Sequence, residues 1–589
     1  MIVKMSKVTV LCVGSAKDEA LDALRDLGVL HVMPLKPPAG DLLDEARAHL
    51  THVRRALEML DPKAGGSPSG MKADEVVEAI WKVIHRIKED DDALEVLRHE
   101  QKRLAPYGSF EPTVLDQLKA KGITVRLYQA PRTQSIEAPP GSVKVVLSED
   151  KANVYFALAG TGDCRVEAQE LRRPEKSLKE IEDSIAWSEA RRAESQRLLA
   201  QYSHDYAAVA DIVQRAEETA EFLEARQGME ARGPVAWLQG FCPAARLSDV
   251  QAASARCGWG LLVEEPTADD KAPTLISNPG WVRPIKAVFD FIGVLPGYEE
   301  IDISAVFLLF LSLFFAMLVG DTGYGLIFLG LTWWGRRKLP KAPAYPFHLL
   351  YIMSLCTVIW GLLTGSFFGM GAPPPGLDRL TVAWLKEPKN VMLLCFGIGA
   401  VHLTIAHAWN ITRGWNSPKA LAQLGWIGST WTMYFMARNL VLGHELPGWI
   451  GGVFLVSVVL IILFMTAPRD FKNEWFNHVM LPLNLVSNFV DVVSYIRLFA
   501  VGTAGYAVAS SFNKMILGGG VEGIVAGLIA ALLLFLGHAL NIILSAMGVL
   551  VHGVRLNTLE FSSHIGMAWT GVPYRPFRKL GLEENHNKT

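Results

Sequence analysis

Two arginines stand where this sequence has least reason to hold a charge. Arg497 lies in NFVDVVSYIRLFAVGTAGYAVASSFN and Arg555 in MGVLVHGVRLNTLEF, each inside a long apolar run. A guanidinium keeps its proton at any accessible pH, so in an apolar medium it stays a fixed positive charge. Placing such a charge in a membrane costs about 2.5–3.5 kcal/mol on insertion scales. A carboxylate passing within about 4 Å would gain roughly 4 kcal/mol at an effective dielectric near 20, a fall of about three pKa units. That is enough to make a passing acid release its ion. Ala500, Gly502, Ala504, Gly505, Ala507 and Ala509 follow Arg497, and such small side chains let another helix come close. The same residues also fit ordinary helix packing with Arg497 in a static ion pair with Asp491. Chemistry alone leaves both readings open.

Other polar residues accompany the arginines. Asp491 precedes Arg497 by six residues, about 1.7 turns of helix and so on a different face. His552 is three residues before Arg555, one regular turn away. Glu560 falls near the end of the last apolar run, either as the mouth of a polar path or as a solvated helix terminus. Asp321 sits in GDTGYG, where a glycine-flanked acid suits the closing of a helix turn. His402, His407, Ser487, His538 and Asn541 are secondary polar candidates inside apolar runs, where hydrogen bonding between helices is the commoner fate of isolated histidines. There is no GxxxxGK[ST] phosphate loop, so no nucleotide site is expected. Cys12, Cys164, Cys242, Cys257, Cys356 and Cys395 form no CxxC pair and no metal-like spacing, so neither a disulfide framework, nor a metal, nor a cofactor is expected.

The elements that hold these residues fall into two halves. Residues 303–568 read as an all-α membrane domain, with apolar runs near 303–320, 322–335, 347–369, 391–412, 420–442, 447–466, 477–516 and 523–562. Most approach the length of about 20 residues that a bilayer requires. The first two, separated by GDTGYG, also fit a single broken segment, and the last two are so long that they must tilt or project. Arg336, Arg337, Lys338, Lys341, Arg413, Lys419, Arg469 and Lys472 occupy loops on one side, against Arg379, Lys386, Lys389 and Lys514 on the other. That asymmetry puts the N-terminal half in the cytoplasm.

Residues 1–302 read as a soluble arm. Val8, Val10 and Cys12 alternate as a strand, a helix follows with Gly28 at its C-cap, and VLHV is a second strand. Val77, Ile80, Ile84 and Ile87 step at helical spacing, as do Tyr202, Tyr206, Val209, Val213, Ala216 and Ala220. Between them ITVRLYQAP, SVKVVLSED and NVYFALAG have strand composition. The expectation is two α/β lobes joined by an antiparallel coiled-coil rod, its second helix running from about 175 to 228 for roughly 80 Å. VAWLQGFCP and LLVEEP then return to the first lobe, and 569–589 is a cytoplasmic tail. Net charge of −2 and dispersed basic residues exclude a nucleic-acid partner.

SYIRLFAVG followed by VHGVRLNTLEF resembles the paired arginine motifs in the last two helices of archaeal/vacuolar-type rotary ATPase subunit I, called subunit a in eukaryotic vacuolar enzymes. GDTGYG, GLLTGSFFGM, PVAWLQGFCP and PTLISNPGWVRPIKAVFDFIGVLPGYEEIDIS resemble that family too, so the likeness covers nearly the whole chain. The resemblance implies a non-catalytic stator of a prokaryotic plasma-membrane ATPase. In it Arg497 faces a rotor-ring carboxylate, Arg555 neighbours it, and two half-channels carry a proton or sodium ion, with Asp491, His552 and Glu560 as lining candidates. The implied partners are a ring of small hairpin proteolipids, peripheral-stalk coiled-coil subunits, a central-stalk subunit that docks on the ring, a soluble head that handles ATP, and membrane lipid. Where vacuolar relatives carry further polar groups this chain has Leu483, Ser487, Gly505 and Ser545, so the polar path is thinner. A secondary transporter would instead show breaks at corresponding places in two halves, and only one break is evident.

Overall fold

The computed structural model describes the chain except residues 64–65, 135, 163–164, 268, 341, 371–374, 468–470, 519–522 and 580–589, and the side chain of Asn473. Cys164, Lys341, Arg469 and half of the C-terminal tail therefore lie outside the described residues. The chain divides into two compact units. One comprises Thr9–Gln239, Ala253–Leu261 and the C-terminal tail, and the other Met1–Val8, Gly240–Ala252 and Leu262–Pro576.

The strand–helix–strand start is β1 (Met5–Val13), α1 (Lys17–Leu27) and β2 (His31–Met33). Gly28 closes α1 in the left-handed conformation, φ 62°, donating its N–H to Leu24 O, a backbone angle that glycine adopts without strain. Three helices follow: α2 (Asp41–Glu58), α3 (Ala73–Leu104) and α4 (Pro112–Ala120). Next come β3 (Thr124–Pro131), β4 (Ser142–Glu149), β5 (Asn153–Gly160) and β6 (Gln169–Glu170). They pair antiparallel in the order β4-β5-β3-β6.

The expected single rod helix is two, α5 (Leu178–Tyr202) and α6 (Tyr206–Gly228), separated by a 3₁₀ turn at Ser203–Asp205. The break has a local cause. Ser203 Oγ accepts the Asp61 N–H at 3.0 Å and Asp205 Oδ1 the Ser69 N–H at 3.0 Å, side-chain bonds that compete with regular helix. α3 runs along α5, while α2, which periodicity did not single out, runs along α6. Val53, Ala56, Val77, Ile80, Val209 and Val213 from three helices share one core, so this end of the rod is a three-helix packing rather than a two-stranded seam. β7 (Glu230–Arg232) and β8 (Val235–Pro243), then α7 (Leu247–Cys257) and β9 (Gly260–Glu264), complete a second sheet of order β2-β8-β1-β9, with β7 on β8.

A short helix, α8 (Lys286–Ile292), leads into the apolar helices. α9 (Ser304–Val319) and α10 (Thr322–Lys338) are separate helices, broken by Gly320 at φ 68° and restarted by Asp321 as N-cap. Then come α11 (Ala344–Thr364), α12 (Pro388–Arg413), α13 (Lys419–Leu442), α14 (Ile450–Phe464), α15 (Phe471–Ser494), α16 (Ile496–Leu517) and α17 (Ile524–Gly548). Four helical stretches are long and apolar enough to cross a membrane: α11, α12, 474–517 over 44 residues and 524–565 over 42. The last two are not uniform. Tyr495 interrupts the first between α15 and α16, and the second passes from α17 into π-helix at Val549–Gly553 and Leu556–Phe561 before α18 (Ser562–Ile565). α16 lies against α9 so closely that a Cβ on Gly502 would sit 2.5 Å from Met317 O.

Candidate functional site

Arg497 is the second residue of α16. Its Nε donates to Ser494 O at 2.9 Å, and its Nη2 pairs with Glu560 Oε1. Arg555 Nε lies 3.6 Å from the same oxygen, so two guanidinium groups share one carboxylate and the cluster keeps a net charge of +1. The partner that sequence spacing suggested for Arg497, Asp491, is not the one it has. Nor is Glu560 a solvated terminus: its side chain is 5% exposed, against 22% for Arg497 and 54% for Arg555.

The π-helix explains the sharing. On an α-helix, residues five apart point about 140° away from each other. Where backbone bonding runs i→i+5 they stack over one turn, and Arg555 and Glu560 reach one another. The regular turn assumed between His552 and Arg555 is accordingly absent. His552 lies half-buried in the first π stretch, with Nδ1 enclosed and unpartnered.

From Arg497 a stripe runs along α16 through Ala500, Ala504, Ala507 and Ser511, each exposed. These are steps of three and four, so they form one face. On α15 the exposed residues Leu483, Ser487 and Val490 lead toward Arg497 at the same spacing. Ser487 thus belongs to an outward face and not to the polar networks inside.

Two such networks flank the arginines along the chain. In the first, Gln423 Oε1 lies 2.7 Å from His407 Nδ1, His407 Nε2 lies 3.0 Å from His564 Nδ1, and His564 Nε2 lies 3.0 Å from Asp491 Oδ2. His407 and His564 are enclosed, while Gln423 and Asp491 are partly exposed at the two ends. Beside it His402 is buried between the Phe310 and Phe561 rings, at centroid distances of 3.8 and 4.3 Å. Its Nδ1 bonds with the Tyr495 hydroxyl at 2.8 Å.

In the second network Asn541 Nδ2 donates to Tyr324 Oη at 3.0 Å and to Gly505 O at 2.8 Å. The Tyr324 proton is then directed at His538 Nδ1, 2.8 Å away, which leaves His538 Nε2–H to donate to Asn513 Oδ1 at 3.1 Å. Asn513 Nδ2 donates to Phe368 O at 2.7 Å. Every polar group in this chain has one direction, which fixes His538 as neutral imidazole. Asp321 anchors the same region. Its carboxylate accepts from the backbone N–H of Gly323, Tyr324, Phe368 and Gly369 and from Ser366 Oγ, at 2.7–3.2 Å.

Sequence reasoning missed Gln423, His564, Tyr324, Tyr495 and Asn513. One signal was available, since His564 follows Glu560 by four residues in an amphipathic stretch.

A protein of Treponema pallidum named V-type ATP synthase subunit I 1 is 31% identical over 643 residues, covering 98% of this chain and all of that one. The chain belongs to the V-type ATP synthase subunit I family. A second subunit I, from Borreliella burgdorferi, is 29% identical with 98% and 100% coverage. The A-type subunit I of Methanocaldococcus jannaschii is 24% identical and covers 54% of this chain and 50% of its own. The solved cytoplasmic N-terminal domain of a V-ATPase subunit I, 16% identical, covers 44% of this chain and 100% of that one at a TM-score of 0.23, too low to bear on the fold. No family model matches the chain. As a member of the subunit I family it is a membrane subunit of a rotary ATPase, with a mixed α/β N-terminal part and long apolar helices after it.

Proposed function

We propose that this chain is the ion-translocating stator of a V/A-type ATP synthase in a prokaryotic plasma membrane, with the N-terminal half in the cytoplasm. It crosses the membrane about eight times and performs no ATP chemistry itself. The soluble arm braces peripheral-stalk coiled-coil subunits, while a central stalk docks on the rotor ring and carries rotation to the ATP-handling head. The stripe on α16 faces a ring of small hairpin proteolipids.

One observation carries this reading: Arg497 begins an exposed face of small side chains while remaining part of a cluster whose charge is +1. A rotor carboxylate sliding along that face meets a positive charge that cannot be titrated away, and loses its ion there. Arg555 holds Glu560 when Arg497 turns to the rotor, so the internal pair is compatible with exchange. The Asp491–Gln423 network lies toward the basic cytoplasmic loops and supplies one half-channel. The His538–Asn541 network, nearer the opposite ends of α10 and α16, lines the other.

The test is Arg497→Ala in the whole complex reconstituted in vesicles. Assembly stays intact and ATP-driven ion pumping is abolished. Pumping at the wild-type rate would instead mean a static structural pair between Arg497 and Glu560.

A further inference from the structure

We infer that the ion this chain carries is the proton, and that Gln423, His407, His564 and Asp491 form the relay moving it between the cytoplasmic side and the rotor face. The inference rests on the stator reading above and names its ion.

Hydrogen-bond direction makes the case. Gln423 Oε1 faces His407 Nδ1, and a carbonyl oxygen only accepts, so that nitrogen carries the hydrogen. His407 Nε2 then offers a lone pair to the His564 Nδ1–H. His564 Nε2 is left facing Asp491 Oδ2 with one proton between them, as imidazolium with carboxylate or as imidazole with carboxylic acid. His564 thus holds a proton in a pair whose net charge is zero in either form. Aligned this way, the chain passes a proton from Asp491 toward Gln423. His564 gives up Nδ1–H as His407 gains Nε2–H, and His407 Nδ1–H leaves on the Gln423 side. Rotation of the Gln423 amide then offers its own N–H to the emptied Nδ1, and every donor points back.

Position fits the task. The two inner members are enclosed, whereas the ends reach partly exposed ground. Gln423 lies four residues from Lys419 at the start of α13, and Asp491 adjoins Val490 on the outward face of α15 that leads to Arg497. The titratable groups packed round His564 are Asp491 on α15 and His407 and His402 on α12. Consecutive imidazole nitrogens can hand on a proton but do not solvate a hard cation, which requires several oxygen ligands.

The experiment uses the intact complex in vesicles, with choline replacing sodium throughout. Wild type acidifies the lumen on ATP addition and is unaffected by added sodium. His564→Gln, which keeps polarity but cannot carry the proton, slows acidification by about 100-fold, the scale of a lost proton-transfer group. Asp491→Asn does the same, and serves if the first variant fails to assemble. Imidazole added to His564→Ala restores part of the rate, which a merely structural histidine would not allow. A sodium requirement, or wild-type rates in both His564→Gln and Asp491→Asn, overturns the relay. Arg497→Ala in the same vesicles separates the two claims: if it abolishes pumping while the relay variants pump normally, the stator reading stands and this inference alone fails.

Discussion

Arg497 and Arg555 draw on one oxygen of Glu560, while Glu560 Oε2 is buried without a partner. Glu560 is therefore the counter-charge of the resting site. Removing it as Glu560→Gln raises the cluster from +1 to +2, and an enclosed charge stripped of its partner costs about 3–5 kcal/mol. In the assembled complex a rotor carboxylate can stand in, so the thermal midpoint should fall clearly for the isolated chain in detergent and much less for the complex. An equal fall in both would show that the rotor does not approach Arg497. The residue types and positions of both arginines were legible in the sequence. Their pairing was not, because spacing rules assume regular winding and this helix departs from it.

Among elements, the junction of α9 and α10 is the most tightly specified. Asp321 caps α10 and accepts five hydrogen bonds on its two oxygens, two of them from the loop at Phe368 and Gly369. Asparagine has a single carbonyl oxygen, so its amide hydrogens would face donors on one side. Asp321→Asn should cost about 2–3 kcal/mol by leaving enclosed donors unmet, measured as a lower thermal midpoint and faster proteolysis between 366 and 370. GDTGYG did mark this junction from sequence, as a break whose acid suits a helix start. The loop that shares the carboxylate was not readable, being separated from it by the whole of α11. In the soluble arm, strands and long helices followed from alternation and three-four spacing. The interruption at Ser203–Asp205 did not, since its cause is a pair of contacts with residues 61 and 69.

At the scale of the molecule, the N-terminal strand is tied to a distant stretch of chain by charge. Lys7 Nζ donates to Asp270 Oδ1 at 2.7 Å, with Thr267 N and Oγ1 on the other oxygen. The Lys7 ammonium, helped by Thr267, brings the Asp270 carboxyl from its ordinary 3.8 down to about 2. The unfolded chain takes up that proton first as pH falls, so this stabilisation is complete above about pH 4, shrinks below it and is gone near pH 2. Its full size is on the order of 2 kcal/mol. Lys7→Met should lower the unfolding midpoint at pH 7 and leave it unchanged at pH 2, followed by tryptophan fluorescence. The division into a soluble arm and apolar helices was plain in composition, because burial in lipid and in water demand different residues.

The i→i+5 winding between Val549 and Phe561 makes the length of this helix as significant as its side chains. Such a stretch accommodates more residues per turn than its surroundings. Loss of any one residue within it would restore regular winding and rotate all that follows by about 100°. Glu560 would leave the arginines and His564 would leave Asp491 in a single step, with each of those side chains still present.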